Sequence, residues 1–396
     1  MLRTAAGQRK LLAFLVLAFF LVCWIPFSNA FPGWVPLQFG SYRVYQATTI
    51  AMWAIVALGL NLLTGYNGQI SLGHGAFVAV GGYTSAILMF DHGWPFWATI
   101  PIAGLLTGAV GFLVGVPALR LSGPYLAIAT LALALATPQI LQKYEGITHG
   151  SQGINVNSPT PPGFLDGDLA HWLNLNETQY LYFFALLAAV IMAIIAWNIV
   201  RSRVGRAFVA IRDSEIAAQA MGISVPRFKT MAFAISAFFA GICGGVYVQV
   251  VGFVSPRSFD VLQSINYLTT IVVGGLASIL GSILGAAVFV LIPETNSLLD
   301  QLHLPAADQA PDVLYGASLI LVMIFMPYGF AGFIRRLTRL QPPLVMQSLS
   351  DFFGQVGLRV RTIRSNPEGG SGGAIPPGRE GPRPHASDGK KGDGSS

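Results

Sequence analysis

Asn61, Asn67, Gln69, Ser71 and His74 crowd into the stretch "NLLTGYNGQISLGHGAFVAVGG" (61–82), interleaved with Gly65, Gly68, Gly73 and Gly75. Amides, a hydroxyl and an imidazole at this density can replace part of the hydration shell of a small polar solute. They do not form a nucleotide loop: G-x-x-x-x-G-K-[ST] occurs nowhere in the chain, and the stretch contains no lysine. His74 is the ionisable residue at its middle, and ionisable groups at membrane depth are functional candidates. Hydrolytic chemistry would need a nucleophile beside an activating base. No serine, cysteine or paired-carboxylate constellation of that kind stands out, so no catalytic residue is assigned. Metal-ligand spacing is also absent: Cys23 and Cys243 each lie in an apolar run.

The elements that carry these residues are set by composition. Charged residues make up 10% of the 396-residue chain and apolar residues 53%, with mean hydropathy +0.61. An ordinary soluble domain carries about 25% charge. Apolar runs at 11–25, 98–119, 179–200, 230–254, 265–292 and 313–334 approach or exceed the roughly 20 residues that cross a bilayer core as a helix. Segments of about 10 alternating residues, the mark of a membrane β-barrel, are missing. The expected fold is an all-α polytopic membrane protein with about 8–10 transmembrane helices, including broken or re-entrant glycine-rich segments. The net charge of +6 reads as topology marking beside membrane spans rather than as a nucleic-acid surface.

Residues 1–27 read as a first span, with a cleaved signal sequence ending near Ser28-Asn29-Ala30 as the alternative. Further spans are expected at 47–64, 70–90, 95–118, 123–142, 179–200, 230–252 and 313–334. The segment 201–229 holds Arg201, Arg203, Arg206, Arg212, Arg227 and Lys229 against Asp213 and Glu215, which marks it as cytoplasmic. With the amino terminus inside, six crossings return the chain to that side at residue 201. A second basic cluster, within 336–364, must also lie inside. The run 265–292 must therefore cross an even number of times or not fully. As one helix it would be about 42 Å long, and Gly274, Gly275, Gly281 and Gly285 offer places to break it. A membrane domain is thus expected over 28–335, followed by a basic juxtamembrane segment and, from 365 to 396, a Gly/Pro/Ser-rich tail too polar to fold.

Two readings of the glycines in 61–82 stand side by side. They let helices pack closely, or they interrupt helices along a solute path, with 265–292 as the partner segment. On the second reading Asn61, Gly65, Asn67, Gly68, Gln69, Ser71, Gly73, His74 and Gly75 line the path together with Asn266, Thr269 and Thr270. The apolar runs hold almost no Asp or Glu, whereas proton- and sodium-driven pumps need such groups inside the membrane. Energy for active transport would come from another polypeptide. In 201–229, Asp213 or Ser214 can cap a helix, Glu215 suits its first turn, and Gly222 suits the position after its end. A docking helix of two to three turns with a mostly alanine face is expected, suited to a soluble partner more than to lipid.

These two blocks carry a resemblance. "GLNLLTGYNGQISLGHGAFVAVGGYTSAIL" (59–88) and "VGRAFVAIRDSEIAAQAMGISVPRFKTMAFAISAFFAGICGGVY" (204–247) resemble the LivM-type permease subunit of branched-chain amino acid ABC importers. The second block is similar to the cytoplasmic coupling (EAA) loop, which assigns coupling to Gly205, Arg206, Arg212, Asp213, Glu215, Ala217, Ala218 and Gly222. It departs from the simplest pattern, because Ile216 separates Glu215 from Ala217 and Ala218. The resemblance implies a bacterial inner-membrane protein with both termini cytoplasmic, itself embedded in lipid. It implies three kinds of protein partner: a second, LivH-like permease subunit, two ABC ATPase subunits that use the ATP, and a periplasmic solute-binding protein. It implies no cofactor bound by this chain. Urea and short-amide importer permeases look alike and remain an alternative. So do a passive channel or secondary carrier for a small polar solute, and a scaffold subunit without a path of its own. Asn-Pro-Ala repeats of the aquaporin type are absent.

Overall fold

The computed structural model describes residues 41–118, 123–156 and 177–291, with the single positions 320, 329 and 332. The expected first span, nearly all of 313–334, the basic segment 336–364 and the tail 365–396 lie outside the described residues. The described α-helices of six residues or more are α1 (Ser41–Leu60), α2 (His74–Phe90), α3 (Phe96–Ala118), α4 (Pro124–Lys143), α5 (Glu177–Arg201), α6 (Arg203–Asp213), α7 (Glu215–Ala220), α8 (Val225–Val251), α9 (Val261–Gly274) and α10 (Ile279–Leu291). Two short strands, β1 (Ile154–Asn155) and β2 (Phe253–Val254), pair antiparallel with Ile154 opposite Val254.

Five of these segments are long and apolar enough to cross a membrane: Tyr42–Tyr66, Phe96–Pro117, Pro124–Lys143, Thr178–Arg201 and Val225–Val251. Helices α2, α9 and α10 are apolar but shorter. The run expected to break does so: α9 ends at Gly274 and α10 starts at Ile279. Helices of 14 and 13 residues reach only about 20 Å each, short of a core about 30 Å thick. The protein is an all-α polytopic membrane protein with broken glycine-rich segments.

Helices α1 and α8 are buried over most of their length, whereas α4 and α5 are largely uncovered. In lipid there is no hydrophobic drive between helices, so close approach decides the packing. On α3, Gly104, Gly108, Gly111 and Gly115 descend against Ile242, Phe238, Ala237 and Phe233 of α8, an antiparallel seam. On α2, Gly81 rests on Gly241 and Gly82 beside Gly244, while Met89 meets Gln249, so α2 runs parallel to α8. Its first residue, His74, is bonded to Ser236, which stands eleven residues, about 16 Å, along α8 from Val225. Helix α2 therefore begins well inside the bundle.

The segment 201–229 is more elaborate than expected. An 11-residue amphipathic helix, α6, precedes the docking helix, and α7 has only six residues rather than two to three turns. The cause is Ser214, whose extended backbone (φ −164°) ends α6 and whose Oγ accepts from the Ala217 N–H at 3.3 Å to start α7. The exposed face is not mostly alanine either: Ile216 and Met221 are 82% and 83% exposed.

Candidate functional site

Asn61 opens a π-helical turn, Asn61–Tyr66, at the end of α1. Such turns widen a helix locally and often occur at functional positions. The Asn61 side chain reaches into the α9–α10 break. Its Nδ2 donates to the Ser282 hydroxyl (2.7 Å) and the Ser278 carbonyl (3.0 Å), with Gly275 O at 3.4 Å. Its Oδ1 accepts from the Ala277 N–H at 2.9 Å. One amide thus gives the Ala277 N–H a buried acceptor within the break, while its Nδ2 adds to the Ser278 carbonyl, which also accepts from the Ser282 N–H. Gly65 is wedged into the same place: a Cβ there would overlap Asn61 Oδ1 and stand 2.5 Å from Ala277 N. The structure thus joins Asn61 and Gly65 to the partner segment, at 275–282 rather than at Asn266, Thr269 and Thr270. The Thr269 and Thr270 hydroxyls instead donate to the carbonyls of Ile265 and Asn266, one turn back on α9.

A second polar cluster holds the start of α2. His74, fully buried, has Nδ1 at 3.1 Å from Ser71 Oγ and Nε2 at 2.6 Å from Ser236 Oγ. The Gly75 N–H donates to Ser264 Oγ (2.9 Å) and the Leu72 N–H to Thr130 Oγ1 (2.9 Å). A Cβ on Gly73 would stand 2.7 Å from Thr130 O. Between the two clusters lie Asn67 and Gln69, both buried. Among the described residues, neither side-chain amide atom of Asn67 has a hydrogen-bond partner, nor does Gln69 Oε1. Buried polar groups are normally partnered, so this segment holds unused donors and acceptors.

At one end of the bundle, α6 and α7 form the third part. Gly205, Ala207, Phe208 and Ile211 face inward on α6, and Ala218 on α7, while Arg206, Asp213 and Ala217 face out. Gly205 fits against the carbonyls of Ile199 and Val200 where α5 turns into α6. Arg212 Nη1 donates to the Gly65 carbonyl at 3.1 Å, and its Nε and Nη2 donate to Asp213 Oδ1. Gly68 lies against the Arg212 stem. Glu215 pairs with Lys229 Nζ at 2.6 Å. Gly222 has φ +82°, closing α7. A mainly apolar concavity of about 720 Å³ lies between α6 and α7, lined by Ala207, Ala210, Ala218 and Phe228 together with Arg203, Arg206 and Asp213.

Sequence reasoning missed Ser278 and Ser282, although their i, i+4 spacing places both on one face at the start of α10. It also missed Ser236, whose contact with His74 joins distant parts of the chain, and Lys229 as the partner of Glu215, because that pairing depends on how α7 packs against α8. Among the described residues no cluster of three His, Cys, Asp or Glu side chains could hold a metal.

A bundle with broken helices at membrane depth, joined to short amphipathic helices at one end, defines a multi-pass membrane permease. The chain belongs to the family of branched-chain amino acid transport system permease components, whose model matches residues 42–323. It is 35% identical over 315 residues to the high-affinity branched-chain amino acid transport system permease protein LivM of Salmonella typhimurium, covering 76% of this chain and 72% of that protein. LivM of Escherichia coli matches with the same identity and coverage. LivH of Escherichia coli, a permease protein of the same description, is 26% identical over 306 residues, 73% of this chain and 94% of LivH. No solved structure matches the chain.

Proposed function

We propose that this chain is the LivM-type permease subunit of a binding-protein-dependent ABC importer, forming part of the path for branched-chain amino acids across the bacterial inner membrane. It pairs with a LivH-like permease, two ABC ATPase subunits and a periplasmic solute-binding protein. Both termini and the segment 201–229 face the cytoplasm. ATP is bound and hydrolysed by the partners alone.

The observation that carries this reading is the α6–α7 unit. It presents exposed Ile216 and Met221 beside an apolar concavity that Arg203 and Arg206 also line, yet is fixed to the bundle through Glu215–Lys229 and Arg212–Gly65. A surface built to be gripped from the cytosol and anchored to a membrane-depth break fits a subunit moved by a separate ATPase. Coupling requires only that the ATPase state prefer one permease arrangement over another. The relatives with matching descriptions are named for branched-chain amino acids, which favours leucine-type solutes over urea or amides.

Uptake into vesicles containing all the partner subunits tests the reading. Labelled leucine should accumulate with ATP and loaded binding protein, and labelled urea should not. Accumulation of urea alone would move the chain to the amide importers. Leucine accumulation by the purified chain without partners or ATP would make it a carrier.

A further inference from the structure

We infer that Asn61 and Arg212 are positioning residues acting in series, which carry movement of the α6–α7 unit to the α9–α10 break. The inference rests on the functional reading above and adds to it the internal connection that coupling uses.

The geometry is a chain of direct contacts. Arg212, in the last turn of α6, donates to the carbonyl of Gly65 at 3.1 Å, and its stem packs on Gly68. Gly65 packs tightly here: a Cβ on it would overlap Asn61 Oδ1 and stand 2.5 Å from the Ala277 backbone nitrogen. Asn61 in turn holds 275–282 through Ala277, Ser278 and Ser282. Movement of α6 along its axis therefore displaces the π turn, and the π turn displaces the break. Residues 275–278 join α9 to α10, which also pack on each other where Gly274 meets Gly281 and Gly285, so a displacement at the join is passed to both helices.

Two further features fit an element with two arrangements rather than a fixed wedge. Ala277 is held at φ +54°, a left-handed conformation rare for residues other than glycine. It stays there with its N–H on Asn61. A few residues further along the π-turn segment, the buried Asn67 amide and Gln69 Oε1 have no partners among the described residues, which leaves hydrogen-bonding capacity for another arrangement.

The test uses the complete importer in liposomes, with wild type, Asn61→Ala, Arg212→Ala, the double variant, Arg212→Lys and Ser282→Ala. Assembled complex, ATP hydrolysis stimulated by loaded binding protein, and leucine taken up per ATP are measured together. Asn61→Ala and Arg212→Ala should each lower leucine per ATP by about fivefold or more at normal assembly. The double variant should be no worse than the poorer single, because the two act in series. Arg212→Lys, which keeps a donor for the Gly65 carbonyl, should recover most of the ratio. Should Asn61→Ala fail to assemble, Ser282→Ala removes the shortest bond to the break and takes its place. Independent, multiplicative losses in the double variant would overturn the series connection, as would a wild-type ratio in either single variant. A wild-type complex that hydrolyses ATP without importing leucine would overturn the functional reading itself.

Discussion

Lys229 Nζ lies 2.6 Å from Glu215 Oε1, joining the first residue of α7 to the first turns of α8. The lysine side chain is 9% exposed and the glutamate 50%, so only one partner has lost its water. Breaking a fully buried pair costs about 3–5 kcal/mol; with Glu215 half in solvent, Glu215→Gln should weaken α7 docking by about 1–2 kcal/mol. Hydrogen exchange over 215–222 should speed up accordingly. Adding Lys229→Met to that variant should restore much of the protection, since the stranded buried ammonium is then gone.

Gly222 offers a test in which packing plays no part. Nothing stands within 4 Å of a Cβ built there, yet its φ is +82°. Gly222→Val should therefore cost only backbone strain, about 1–2 kcal/mol, and shift the end of α7 by reshaping its turn. Assembly with the ATPases should survive while leucine uptake per ATP falls. Gly222→Asn, which tolerates the left-handed region better, should retain more coupling. Equal uptake in all three proteins would show that the turn after α7 is not part of the coupling unit.

What the sequence revealed follows from what each signal depends on. Span-length apolar runs and arginine clusters depend on solvent alone, so the membrane class was readable from composition and from segments such as 179–200. The break in 265–292 was readable because a straight helix was too long and would have placed the basic cluster on the wrong side. The break's own position was not: Gly281 and Gly285 are equally glycine, but they lie inside α10 against Gly274. Only the contact with Asn61 distinguishes 275–278. Helix α6 was missed because "RVGRAFVAIRD" reads as charge flanking a span. Its inward face appears only once Phe208 and Ile211 are seen against the bundle. The polar residues of 61–75 were identifiable by type, but the Asn67 amide and Gln69 Oε1, which have no partner among the described residues, could not be told from the engaged groups without geometry.

The packing of α8 against α2 and α3 should be the part least tolerant of added volume. A Cβ on Gly241 would stand 2.6 Å from the Thr107 side chain and 2.7 Å from the Ala103 carbonyl. Helices have few ways to yield there, and Gly241→Ala should cost about 1–3 kcal/mol. A Cβ on Gly108, which faces α8 from α3, would stand 3.3 Å from Phe238 Cβ, its nearest neighbour, and Gly108→Ala should cost under about 1 kcal/mol. Thermal unfolding of the purified protein in detergent, followed by tryptophan fluorescence, should rank the two in that order. The reverse ranking would mean that the glycine on α8 is not there for close approach.

Ala277 is the remaining strained point. With φ +54°, it carries a left-handed penalty of about 1–2 kcal/mol that glycine would not, partly offset by the greater unfolded freedom of glycine. Ala277→Gly should thus be neutral to slightly stabilising, by up to about 1 kcal/mol, although it deletes a methyl group. The variant becomes more informative when combined with Asn61→Ala. If the Asn61 carbonyl oxygen holds the alanine in place, removing that oxygen should harm the protein with Ala277 intact more than the Ala277→Gly variant, whose glycine needs no such restraint. The destabilisation by Asn61→Ala, measured by thermal unfolding, should then shrink in the Ala277→Gly background. Identical losses in both backgrounds would mean that the bond at 2.9 Å fills a donor without holding the backbone. Asn61 would then brace the break only through Ser278 and Ser282.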